Sequence, residues 1–233
     1  MGGKILPGER LPTEKELSRQ FGVSVITVRE ALRALEIMGF IEKKKGRCGG
    51  IFASQINKDS VKIPVHYFLA SNKVSSRNLT ELRIIIEPYA VKIATCQITP
   101  NELETLEKNV SHCERKMRNV GYNFTEREFF YIEERNIEFH RLIGEATHNP
   151  VLSLTMDYIM DFLFSFKKSI LTPDRQFSAK TIEDHKMILA SLKAGNAEEG
   201  EKMMLLHIKN VENYLAKQQV PKNKHQASKK LRV

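Results

Sequence analysis

A chain of 233 residues with 41% apolar and 28% charged side chains can bury a core and is not compositionally disordered. Its 37 basic against 28 acidic residues leave a net charge of +9, which argues against an acidic enzyme and for an anionic partner, nucleic acid or a membrane surface. Three cysteines without CxxC spacing exclude a disulfide framework and a zinc ribbon, and no apolar run reaches the roughly 20 residues of a membrane span. The opening MGGKILPGERLPTEKEL lacks the apolar stretch of a secretion signal. The expectation is a cytoplasmic protein with no membrane partner.

In chain order, LPTEKELSRQF reads as a helix with Thr13 as N-cap and Glu16 completing a capping box. Gly22 breaks it, and Ser24 caps a second helix, VITVREALRALEIM. There Val28, Leu32, Leu35 and Met38 recur on one face and leave Ile26, Thr27, Arg29 and Arg33 outside. FIEKKKG and GGIFA are short strands joined by a basic, Gly-rich tip. Helix, turn, helix and basic hairpin outline a winged helix-turn-helix over residues 1–54, followed by a polar linker at 55–60.

From residue 61 to 216 nearly every segment is helical. Thr99 with Glu102, and Asn196 with Glu199, form capping boxes, the first with Pro100 at N1. Asn149-Pro150 and Thr172-Pro173 mark further boundaries. Between them lie apolar stripes, Leu82, Ile85, Ile86, Tyr89 and Ile93 on one helix and Phe129, Ile132, Phe139 and Ile143 on another. The predicted fold is mostly α, a winged helix-turn-helix followed by an all-α bundle of six or seven helices. No Gly-rich phosphate loop appears. Residues 217–233 are basic, have no acid, and are expected to be disordered. Asn136 and His140, four apart, share a helix face, and His185 and His207 lie on two later helices that a bundle can turn inward.

These residues carry a family resemblance. PGERLP, the GVS turn and TVREAL resemble the DNA-binding domain of the GntR family of bacterial transcription regulators. ELRIIIEPYAVKIA, NIEFHRLIGEATHNPVL, EDHKMIL and MMLLHI resemble the ligand-binding FCD domain of that family's FadR branch. The resemblance implies Arg29 as the main DNA contact, with Ser24, Thr27, Lys15 and the wing residues Lys45 and Gly46, on a double-stranded, pseudo-palindromic operator bound by a homodimer. It also implies a divalent metal, zinc or nickel, at Asn136, His140, His185 and His207, where relatives with a metal use an Asp and three His. Arg83 matches an Arg that faces the effector cavity, here for a small organic acid, although an ordinary salt bridge with Glu87 is the alternative. Val25 stands where relatives often have Arg.

The family's winged helix normally has one more helix before PGERLP. Its absence from the start predicts either a gene product that begins further upstream or a loose domain. Leu17, Val28 and Leu32 would then be wet at about 1.5–3 kcal/mol each. Two readings compete with a regulator. One is a metal-dependent hydrolase drawing its base from Glu133, Glu134, Glu138 or Asp184. The other is a non-specific nucleic-acid-binding protein driven by the basic ends.

Overall fold

A computed structural model describes residues 5–46, 49–54, 74–120 and 124–219. Its contacts divide the chain between residues 69 and 70 into two compact units. The expected linker at 55–60, the basic end beyond 219 and the first four residues lie outside the described residues.

The first unit forms as its caps dictate. Helix α1 (Glu14–Phe21) starts with Thr13 Oγ1 accepting from Glu16 N at 3.3 Å while the Glu16 carboxylate accepts from Thr13 N at 2.7 Å. Gly22 ends it at φ 66°, a left-handed conformation that glycine adopts without the penalty of a Cβ. Helix α2 (Val25–Ile37) starts at Ser24, whose hydroxyl accepts from Thr27 N at 3.1 Å. Strands β1 (Ile41–Lys44) and β2 (Gly50–Ala53) pair antiparallel, Ile41 opposite Ala53. The segment before α1 adds a third edge that its Pro-Gly sequence conceals. Gly8 N donates to Ala53 O and Leu11 N to Ile51 O, both at 2.8 Å.

Val28, Leu32, Ile41 and Ile51 make this unit's core, with Leu11 and Leu17 against it. The predicted four-residue face of α2 is therefore half right, since Leu35 and Met38 are 38% and 51% exposed. Val28 and Leu32, expected to be wet, are instead buried, because the wing strands and Leu11 close over them. The apolar residues left in solvent lie further out. Phe21, Leu35 and Phe40 line a groove of about 770 Å³.

The second unit holds six helices among the described residues: α3 (Ser76–Gln97), α4 (Pro100–Asn119), α5 (Glu126–Ala146), α6 (Pro150–Ile170), α7 (Arg175–Lys193) and α8 (Ala197–Gln219). The Thr99–Glu102 box and Pro100 start α4 as read from sequence. Two further boxes, Ser75 with Asn78 and Thr125 with Glu128, start α3 and α5. On α5, Phe129, Ile132, Phe139 and Ile143 are fully buried as predicted.

Helix α3 behaves otherwise. Leu82, Ile85 and Tyr89 of its expected core stripe are 40%, 70% and 54% exposed. The buried face is Leu79, Arg83, Glu87, Ala90, Val91 and Ala94. Small residues at 90 and 94 let α8 approach closely, and α8 is the helix on which α3 packs most extensively.

Candidate nucleic-acid interface and metal centre

Ser24, Thr27 and Arg29 come together on the first turns of α2. The Ser24 and Thr27 hydroxyls lie 2.8 Å apart within the cap. Arg29 Nη2 donates to Glu14 Oε2 of α1 at 3.0 Å, with its own side chain 58% exposed. Such a surface pair is worth at most about 1 kcal/mol, so Glu14 holds the guanidinium only weakly. Lys15 stands exposed on α1, and Lys45 and Gly46 are exposed at the wing tip, where Gly46 has φ 103°. Side chains on a helix N-terminus and at a wing tip are what major-groove and phosphate contacts require.

Inside the bundle, α5 supplies Asn136 and His140, α7 supplies His185 and α8 supplies His207, all at most 3% exposed. One donor nitrogen from each histidine falls within 4.8 Å of the others. His140 Nδ1 lies 2.6 Å from Glu87 Oε2, and His207 Nδ1 lies 3.4 Å from Asp184 Oδ2. A carboxylate on Nδ1 fixes the ring and leaves Nε2 as the metal-binding atom. Burial pushes all three imidazoles down, His207 to about 4 and His185 well below the usual histidine range, so each is neutral at pH 7 and ready to coordinate. Burial raises the Asp184 carboxyl, but hydrogen bonds from His207, Lys180 and Asn210 outweigh it and bring the group to about 2.

Asn136 fits a metal set through its oxygen. Its Nδ2 donates to Glu133 Oε1 at 3.0 Å, and Glu133 Oε2 in turn accepts from Lys167 Nζ at 2.8 Å. A carboxylate only accepts here, so the amide nitrogen turns to Glu133 and Asn136 Oδ1 points away. That oxygen is buried without a hydrogen-bond partner, as is His185 Nε2. Unsatisfied buried acceptors are costly, and a cation within reach of either atom would relieve it. Lys167 is a site residue that the sequence reading missed. It stands in the run FLFSFKKSI, where only depth distinguishes it from its exposed neighbour Lys168.

Arg83 is 2% exposed and makes the salt bridge with Glu87. Its Nε and Nη2 both face the Glu87 carboxylate. Burial pushes Glu87 up, but the charges of Arg83 and His140 overcome it and hold the carboxyl well below the usual range. A pocket of about 430 Å³ between α7 and α8 has Asp184 and Asn210 in its wall, beside the stacked Phe177 and Tyr214 rings.

For the double change His140→Ala/His185→Ala we expect loss of any metal-dependent rise in melting temperature. For the wild type, metal at about a hundred times its Kd adds about 2.7 kcal/mol, or about 5–10 °C. Asn136→Asp, which supplies a charged oxygen, is expected to tighten binding. A wild-type melting point that ignores zinc and nickel, measured by differential scanning calorimetry, removes the metal assignment.

A winged helix and a helical bundle with an inward-facing polar centre define a DNA-binding transcription regulator with an effector-binding C-terminal domain. The family model of bacterial regulatory proteins of the gntR family matches residues 1–51, and that of the FCD domain matches residues 78–210. The HTH-type transcriptional regulator LutR of Bacillus subtilis is 27% identical over 218 residues, 92% of this chain and 94% of that protein. The galactonate operon transcriptional repressor of Escherichia coli is 25% identical over 209 residues, 88% and 87% of the two chains. A GntR protein of Streptococcus agalactiae has the same fold, with TM-score 0.65 at 22% identity over 91% of this chain and 92% of that one. The chain belongs to the GntR family of transcription regulators, in the group that carries an FCD domain. It is a regulator and not an enzyme, which sets aside the hydrolase reading. No helix among the described residues is long and apolar enough to cross a membrane.

Proposed function

We propose that the chain acts in the bacterial cytoplasm as a homodimeric repressor whose operator affinity is set by a hydroxycarboxylate bound at a metal in the bundle. The buried trio His140, His185 and His207, with Asn136 one turn before His140 on α5 and its Oδ1 buried without a partner, is the observation that carries this reading. The four ligands are neutral, so zinc or nickel here would keep its full double charge and act as a Lewis acid toward an anionic oxygen. Glu87 and Asp184 orient His140 and His207, while Glu133 and Lys167 hold the Asn136 amide. Arg83 donates to the acid from the guanidinium edge not turned to Glu87. A relative named for a galactonate operon supports a polyhydroxy acid as the class of effector. The pocket beside Asp184 has a volume suited to a small acid and gives it an approach within one side chain of His207.

The exposed stripe Leu82, Ile85 and Tyr89 on α3 is the surface we assign to the second copy. A two-fold dimer needs one self-complementary apolar patch, and a two-fold dimer meets a two-fold operator. Ile85→Glu should then give a species of half the wild-type mass in light scattering, because two carboxylates would meet at the axis. An unchanged mass moves the interface elsewhere. The effector reading is tested by adding galactonate to zinc-loaded protein in a thermal melt. The expected result is a rise that requires the metal, is saturable, and vanishes in His140→Ala/His185→Ala. A rise that persists in that variant, or no rise with any hydroxycarboxylate, rejects it.

A further inference from the structure

Ile26 is 70% exposed and occupies the second position of α2, on the side of the helix opposite Val28 and Leu32. The Ser24 cap fixes where the helix begins, so the side chain projects from the first turn, the part of a recognition helix that reaches base edges. It takes no part in the apolar groove formed by Phe21, Leu35 and Phe40. Arg29 and Arg33, three and seven residues on, are exposed along the same side of α2, so this apolar branch stands in line with cationic groups. Of the features that base pairs display in the major groove, only the C5-methyl group of thymine is apolar.

We propose that Ile26 reads a thymine methyl in each operator half-site, giving this regulator a base preference set by apolar contact rather than by hydrogen bonding. This rests on the placement of α2 in the major groove. The operator is first selected from a randomised duplex library with the full-length chain. Each thymine of the selected duplex is then replaced in turn by deoxyuridine, which removes the methyl and leaves every hydrogen-bonding group. Wild-type protein and Ile26→Ala are titrated against each duplex by fluorescence anisotropy. Because Ile26 is exposed, the variant should melt with the wild type.

At one thymine per half-site, methyl removal should weaken wild-type binding about fourfold, the change that one buried methyl corresponds to. Ile26→Ala should bind the thymine and deoxyuridine duplexes equally. The proposal is overturned if no thymine methyl matters to the wild type, or if its loss weakens Ile26→Ala by the same factor. A library that yields no enriched sequence refutes the groove placement itself and the proposal with it. That outcome is distinct from an enriched operator whose methyl groups are silent.

Discussion

Arg29→Ala is expected to weaken operator binding at least about thirtyfold while leaving the fold and dimer intact. A bidentate arginine contact to guanine discriminates by about 1–3 kcal/mol, and two half-sites double it to about 2–6 kcal/mol, roughly thirtyfold to twenty-thousandfold in Kd. Among the described residues, the intramolecular pair disturbed is the exposed one to Glu14, worth at most about 1 kcal/mol. Glu14→Gln is the control. It frees the guanidinium without removing it, so operator affinity should hold or rise. An Arg29→Ala protein that binds the selected duplex as tightly as wild type contradicts the interface described above.

Glu87→Ala is expected to cost about 3–5 kcal/mol, because it strands the Arg83 guanidinium in a site where it is 2% exposed. For a unit of this size that is about 6–20 °C in melting temperature. Glu87→Leu with Arg83→Met removes both charges at nearly constant volume and should recover most of the loss. Both variants lose the carboxylate that orients His140, so metal affinity should fall about ten- to a hundredfold even where stability returns. Calorimetry and a chelator competition separate the two effects. A Glu87→Ala protein that melts with the wild type would show that Arg83 finds water or another partner.

What the sequence discloses follows from what is local. The Thr13, Ser24 and Thr99 caps satisfy backbone donors within three residues, so helix starts are legible without the rest of the chain. The stripe on α5 is legible because it has one apolar face. Helix α3 has two, and the choice depends on Ala90 and Ala94 admitting α8, which no local pattern states. The histidines are legible only through the family resemblance, since no local pattern brings α5, α7 and α8 together. The groups that tune them are less so. Glu87 is hidden by being an ordinary i,i+4 partner of Arg83, and Lys167 by having Lys168 beside it. The third edge of the wing, residues 8–11, reads as a turn because its hydrogen bonds are made to strand residues forty or more positions away.

The most direct test of a ligand-responsive regulator is a single anisotropy series with the full-length chain. The selected operator and a random duplex of equal length are titrated with zinc-loaded protein, with and without galactonate. The account predicts operator binding at least about a thousandfold tighter than random binding. It also predicts that the acid changes operator affinity by about 5–150-fold and leaves random binding unaltered. Equal affinity for the two duplexes would instead describe a non-specific nucleic-acid-binding protein, and operator affinity indifferent to every hydroxycarboxylate would contradict control through the bundle.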